Sequence, residues 1–321
     1  MIRRMMIDGA RAVPELDLVE SPPGSYTVAE AYAFCERIAR GHWDSYALAR
    51  RFVPEKLRPH VWALYAFART ADDFADEPRY AGRRSELLAR WETELDRAFH
   101  REAEHPIFIA LSDTVDRCKL PIAPLRDLLA GYAMDLSMTR YGTAQELARY
   151  TAHTAQPLGR LFLCMFGQSA TCTATLQRFI DELCAGLQLT KICQDLTLDL
   201  VRDRIYLPAE DLRHFGVTEA MLRADRASPE VRDLIRYEVA RARALLERGR
   251  PVIEQLRRLD AALAFQMALV FYAGVLLLDQ IEAAEFDILA KRPRLVEAEK
   301  AEILARATAV RWPDAADRRA G

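Results

Sequence analysis

Four carboxylates in two short runs have the spacing that metal-assisted phosphate chemistry needs. The runs are Asp72-Asp73-Phe74-Ala75-Asp76 and, about 120 residues on, Asp195-Leu196-Thr197-Leu198-Asp199. Each places carboxylates at i and i+4, which on a helix project from one face. Mg²⁺ prefers one or two carboxylates plus substrate phosphates to a cage built wholly from protein. Two such pairs facing each other across a helical bundle would hold a diphosphate through Mg²⁺ and help it leave. Guanidinium groups accompany both pairs. Arg69 lies one turn before Asp72 and shares a face with Asp73 and Asp76, while Arg202 and Arg204 follow Asp199. An arginine fork beside metal-binding carboxylates can grip diphosphate oxygens.

Each run also has a purely structural reading. The first could be a solvated acidic face with a local ion pair, the second a charged helix end that complements the macrodipole. Val61-Trp62-Ala63-Leu64-Tyr65-Ala66-Phe67-Ala68, just before the first run, is too apolar for a surface helix. The carboxylates then stand where a helix emerges from a core, which suits a pocket rim. Two such helices, each with an arginine donor, are harder to dismiss than one.

The elements that must position these groups are helical. Thr27 with Glu30 has capping-box spacing and opens a helix running towards Pro54. Pro59 opens the next, which carries the first acidic run and ends near Pro78. Further helices are expected over about 84–103, 106–119, 124–138 and 143–166, the last with a capping box at Thr143 and Glu146 and a kink at Pro157. A long helix from about 174 to 200 carries the second run, and Ser228-Pro229-Glu230 starts another. An apolar helix near 260–289 and a final one near 296–310 complete the set. There is no sustained strand alternation, no repeat and no GxGxxG. The fold class is all-α, expected as a single-domain bundle over 25–312 with loose tails at 1–24 and 313–321.

A chain of 321 residues, 51% of them hydrophobic and 29% charged, can bury a large core. Its net charge of −2 provides no general attraction for nucleic acid or anionic lipid. Six scattered cysteines without a CxxC pair argue against a zinc site or disulfide framework and for reduced thiols in the cytoplasm. Arg3 and Arg4 are not followed by the apolar core of a signal peptide. Ala261 to Leu278 is almost unbroken apolar sequence, near the length of a membrane span. Asp260 and Asp279 bracket it without a basic flank or aromatic belt, which favours a buried core helix.

The residues from Tyr65 to Asp76 and from Gln188 to Pro208, the latter ending Arg204-Ile205-Tyr206-Leu207-Pro208, resemble the two metal motifs of the squalene/phytoene synthases. The resemblance runs from about residue 27 to 295. It implies the all-α isoprenoid synthase fold with a central apolar cavity, and a prenyl diphosphate as substrate. Ala31–Arg37, His105–Phe108, Gln156–Arg160 and Lys291–Leu295 are most similar to hydroxysqualene synthases, which ionise presqualene diphosphate and let water capture the rearranged cation. Carried over by position, Asp72, Asp76, Asp195 and Asp199 are metal ligands, and Asp72 and Asp76 thereby catalytic; Arg69 and Arg204 contact diphosphate. Tyr150 is a catalytic tyrosine near the ionising carbon, where a phenol could steady a cation or pass a proton. Ser45, Gln188 and Lys191 are polar groups of the substrate pocket.

Three departures stand out. Lys191 replaces the asparagine that ligates metal in the family, so either its charge substitutes for one Mg²⁺ or it merely pairs with Asp195 and impairs the site. Asp44-Ser45-Tyr46 replaces the Glu-Asn-Phe of hydroxysqualene synthases, and Gly274 stands where carotenoid-forming relatives carry tyrosine. The reading that follows is a Mg²⁺-dependent hydroxysqualene synthase supplied by a presqualene diphosphate synthase. Two alternatives stay open: a head-to-head transferase making presqualene diphosphate, dehydrosqualene or phytoene, and a non-catalytic relative acting in assembly. The expected location is the cytoplasm, and the greasy substrate leaves peripheral contact with the inner membrane face open.

Overall fold

The structure is a computed structural model that describes residues 26–42, 53–167 and 173–311. Helices account for its regular structure. In chain order they are α1 (Val28–His42), α2 (Arg58–Asp76), α3 (Arg84–Phe99), α4 (Pro106–Cys118), α5 (Ile122–Ser137), α6 (Ala144–Thr154) and α7 (Gln156–Met165). There follow α8 (Ala174–Val201), α9 (Ala209–His214), α10 (Glu219–Leu222), α11 (Pro229–Gly249), α12 (Pro251–Leu259), α13 (Ala261–Ala283) and α14 (Glu297–Arg311). No β-strand forms among the described residues; a lone parallel bridge joins Arg140 to Ile205. The helices form two compact units, α1 to α5 with α7, and α6 with α8 to α14.

The helix starts follow their caps. Thr27 and Glu30 exchange the two bonds of a capping box, with Glu30 N 3.3 Å from Thr27 Oγ1 and Thr27 N 2.9 Å from Glu30 Oε2. Thr143, Thr173 and Ser228 accept from backbone N–H groups at the starts of α6, α8 and α11. Prolines explain where the observed boundaries differ from the expected ones. The helix expected over 143–166 is two helices parted at Ala155, because Pro157 lacks an N–H and its ring clashes with the preceding turn. Pro251 likewise starts α12 immediately beyond α11, and α9, α10 and α12 are short helices that the pattern did not show. The apolar helix ends at Ala283 rather than near 289, where Glu285 and Phe286 turn the chain with positive φ.

In the first unit, α2 is buried on all sides from Ala63 to Ala75. Trp91 of α3 donates its indole N–H to the Phe67 carbonyl at 3.2 Å, and its ring meets Phe74, His105 and Phe108 edge to face. Such enclosure holds the last turn of α2, with its carboxylates, in one position.

In the second unit, α8 and α11 run antiparallel at close range. A Cβ on Gly249 would lie 2.4 Å from the Leu183 backbone N, and one on Gly186 would lie 2.7 Å from the Leu246 N. Only hydrogen fits at either place. α13 packs against α8, α11, α12 and α14 of the same unit. Its most apolar window is 72% buried, as a core helix requires. Asp260 is its N-cap, accepting from Ala262 N and Leu263 N at 2.8 and 2.9 Å. Gly274 admits Leu187 so closely that a Cβ would lie 2.6 Å from Leu187 Cδ2.

Glu238 of α11 is fully buried, paired with Arg241 at 3.1 Å, and Arg241 also holds Asp211 of α9 at 2.9 Å. Burial pushes the Glu238 carboxyl up to about 8 against the pull of the Arg241 charge.

Two predictions follow from this packing. Gly249→Ala forces a methyl group into the Leu183 backbone, and overpacking of this kind should cost about 2 kcal/mol or more in urea unfolding. An unchanged midpoint would contradict the close approach. For Glu238, the folded state binds more protons than the unfolded chain between the ordinary carboxyl pKa of 4.5 and about 8. Stability should therefore fall as pH rises through that window, and Glu238→Gln should flatten the profile. A Gln variant with the parental slope would place the titrating group elsewhere.

Candidate active site

The first acidic run occupies the C-terminal turns of α2. Arg69, only 4% exposed, sets its Nη2 2.5 Å from Asp73 Oδ1 and its Nη1 4.0 Å from Asp72 Oδ2. Asp72 and Asp73 are buried and Asp76 is half-buried. The middle carboxylate is therefore the arginine's partner, and Asp72 and Asp76 are the i,i+4 pair beside it. Arg69 retains two further donors, Nε and Nη1, that have no hydrogen-bond acceptor among the described residues. Buried donors of this kind call for an anion. Burial raises the Asp73 carboxyl to about 7 against the opposing charge of Arg69, and pushes upward the phenol of Tyr65, which lies one turn before Arg69.

The second run lies on α8, where Gln188, Lys191, Asp195 and Asp199 follow one another at three- and four-residue steps along one buried face. Lys191 Nζ is 3.0 Å from Asp195 Oδ2 and donates to Gln194 Oε1 at 2.9 Å. Arg292, from the segment between α13 and α14, places Nε and Nη2 2.8 and 2.7 Å from Asp195 Oδ1. The helix then ends in a turn in which Arg204 N donates to the Asp199 carbonyl at 2.9 Å and Asp203 adopts φ 53°. Aspartate tolerates that left-handed conformation. Arg140 and Arg223 hold the Asp203 carboxylate at 2.8 and 3.0 Å, and the hydrogen bond from Arg140 lowers its pKa. Ile205 N donates to the Thr139 carbonyl at 2.9 Å, so residues 204–208 run beside 139–142. Arg204 is buried within this framework.

Tyr150 of α6 is fully buried in an aromatic trio. Its ring centroid lies 5.3 Å from Tyr141 and 5.1 Å from Tyr206, and its hydroxyl is 3.5 Å from that of Tyr206. Tyr141 and Tyr206 are stacked at an interplanar angle of 20°, and Tyr150 is tilted against both. Ser45, with Asp44 and Tyr46, lies outside the described residues.

The donor chemistry suits Mg²⁺ unequally at the two runs. Asp72 and Asp76 offer hard oxygens beside unengaged arginine donors, which fits a metal–diphosphate unit. Asp195 does not fit, because both of its oxygens already face cationic side chains. Among the described residues, no three His, Cys, Asp or Glu side chains are grouped closely enough to hold a metal by themselves. A groove of about 680 Å³ between α6, α8 and α11, lined by Leu147, Thr151, Leu189 and Leu245 among others, includes none of the candidate site residues.

The squalene/phytoene synthase family profile matches residues 39–299 of the chain. The chain belongs to the squalene/phytoene synthase family. It is therefore an enzyme of the isoprenoid transferase and synthase class. A phytoene synthase from Arthrospira platensis is 32% identical over 277 residues, which cover 83% of this chain and 88% of the relative. The crystal structure of squalene synthase HpnC from Alicyclobacillus acidocaldarius superposes with a TM-score of 0.75 at 36% identity, covering 81% of this chain and 95% of that one. A dehydrosqualene synthase at 24% identity, with a TM-score of 0.78 over 88% of this chain and 96% of its own, shares the fold.

In this member of the squalene/phytoene synthase family, sequence reasoning missed four residues that the structure places against the candidate site residues. Asp73 is legible as sharing a face with Arg69, but its i,i+4 spacing was not read as the ion pair that the structure forms. Arg292 lay in a segment noted only for its similarity, and nothing local marks it as the partner of Asp195, 97 residues away. Tyr141 and Tyr206 join Tyr150 only through the fold.

The Arg69–Asp73 pair yields a double-mutant test. Arg69→Gln leaves a buried carboxylate without its counter-ion and should cost about 3 kcal/mol in urea unfolding. Adding Asp73→Asn should recover most of the loss. Additive losses would show that the two side chains act independently.

Proposed function

We propose that the chain is a hydroxysqualene synthase-like enzyme that ionises presqualene diphosphate and lets water capture the cation. The observation that carries the diphosphate reading is the buried Arg69 guanidinium, whose Nε and Nη1 lack a hydrogen-bond acceptor among the described residues and stand on the helix that bears Asp72 and Asp76. The squalene product class is supported by the 36% identical squalene synthase and by the similarity of Ala31–Arg37, His105–Phe108, Gln156–Arg160 and Lys291–Leu295 to hydroxysqualene synthases.

Arg69 and Arg204 bind diphosphate oxygens through charge-assisted hydrogen bonds. Asp72, Asp76 and Asp199 are the residues that would hold Mg²⁺. When bound, Mg²⁺ offsets the negative charge that develops on the leaving group. The carbon–oxygen bond breaks with its electron pair on diphosphate. The rearranged carbocation then takes the oxygen of one water, whose proton is released. Tyr150, its ring flanked by Tyr141 and Tyr206, steadies the cation, and Gln188 and Ser45 contribute polar contacts in the pocket. The substrate is the product of a head-to-head condensation of two farnesyl diphosphates, which a presqualene diphosphate synthase supplies.

The phytoene synthase at 32% identity favours a second reading, in which the chain itself condenses two prenyl diphosphates. Separate incubations with presqualene diphosphate and farnesyl diphosphate in the presence of Mg²⁺ distinguish the two. The expected outcome is hydroxysqualene from presqualene diphosphate, its hydroxyl oxygen labelled when the reaction runs in isotopic water, with farnesyl diphosphate left intact. Consumption of farnesyl diphosphate alone would replace the first reading by the second. Asp72→Asn and Asp76→Asn should each lower turnover by about a hundredfold or more, as expected when stabilisation of a leaving group is lost.

A further inference from the structure

Asp195, the first carboxylate of the α8 pair, is already saturated with positive charge by the chain itself. Lys191 Nζ engages one oxygen at 3.0 Å, and the Arg292 guanidinium engages the other through Nε and Nη2 at 2.8 and 2.7 Å. All three groups are nearly closed to solvent, with side-chain exposures of 2% for Lys191, 7% for Asp195 and 8% for Arg292.

The arrangement is built in from both sides. Gln194 accepts from Lys191 Nζ at 2.9 Å and donates through Nε2 to the Pro293 carbonyl at 2.7 Å, so one side chain orients the lysine and pins the residue next to Arg292. On the far side, Gln280 of α13 donates to the Arg294 carbonyl at 2.9 Å. Arg292 is thus flanked by two backbone anchors and is not a mobile surface arginine that happens to lie nearby.

We propose that Lys191 and Arg292 take the place of a divalent metal at Asp195. The α8 motif then meets a diphosphate with protein cations, and Asp195 positions those cations instead of ligating Mg²⁺. A metal bonded to Asp195 would sit about 2.1 Å from a carboxylate oxygen. It would then be within a few ångströms of two positive groups in a poorly solvated setting, where like charges repel strongly. Two monovalent cations supply the charge of one divalent ion. Arg292 adds a planar donor set that a metal lacks.

The inference rests on the reading of the chain as a diphosphate-binding enzyme, but not on which product it makes. Its test counts metal ions. Mn²⁺, which shares the oxygen preference of Mg²⁺ and is visible by electron paramagnetic resonance, is titrated into the protein with saturating inorganic diphosphate.

Asp195→Asn should leave the number of bound Mn²⁺ ions unchanged. The double variant Lys191→Asn/Arg292→Gln should bind one more ion per chain than the unmutated protein, and adding Asp195→Asn should remove that extra ion. Loss of an ion on Asp195→Asn alone, or an unchanged count in the double variant, would overturn the proposal. Circular dichroism checks that each variant folds. Should the double variant not fold, Asp195→Asn alone carries the test: an unchanged count supports the proposal and a lost ion overturns it. Absence of any diphosphate-dependent Mn²⁺ binding would defeat the metal–diphosphate reading and this inference together, whereas an unexpected organic product would leave the count intact.

Discussion

Charge buried inside a helical protein must find opposite charge close by, because desolvation would otherwise neutralise it or unfold its surroundings. The chemistry-bearing turns of this protein are organised by that requirement. On α2, Arg69 is matched by Asp73 with Asp72 close behind. On α8, Asp195 is matched by Lys191 and Arg292. The two solutions differ in sign. On α2 three carboxylates stand along one guanidinium, whereas at Asp195 two cations stand on one carboxylate.

The scaffold makes those clusters rigid. α2 is enclosed by aromatic side chains until its last turn, and α8 is held against α11 at a distance that only Gly186 and Gly249 allow. Where α8 ends, Asp203 takes a left-handed turn under the grip of Arg140 and Arg223, which sets the direction of the Arg204–Pro208 segment. The proposed reaction passes through a carbocation, for which rigid placement matters, because a displaced donor or a stray water would divert it. Lys191 is one turn from Asp195, and Gln194 ties the same turn to the segment bearing Arg292. Local spacing and distant chain are joined there by one amide side chain.

Much of this was legible in the sequence. The caps at Thr27, Thr143 and Ser228 and the prolines at helix starts are local signals, and the helices begin where those signals lie. The two DxxxD runs were visible because an i,i+4 spacing on a helix is a statement about a single face. The two helices in place of one around Pro157, and the short helices α9, α10 and α12, were not legible. Their boundaries depend on which neighbours take up the freed backbone groups. The apolar α13 was ambiguous by composition alone, since a membrane span and a core helix share it; burial against four helices of its own unit is what distinguishes them.

By itself the sequence determined the helical class, the family, and the faces on which the carboxylates, Arg69 and Lys191 stand, because each follows from residue type and short-range periodicity. Only the tertiary structure decided which charges those groups meet. It assigned Asp73 to Arg69, brought Arg292 to Asp195 across 97 residues and gathered Tyr141, Tyr150 and Tyr206 into one trio. The reason is physical: the partner of a buried charge is set by the path of the whole chain, and that path is fixed by packing among helices distant in sequence.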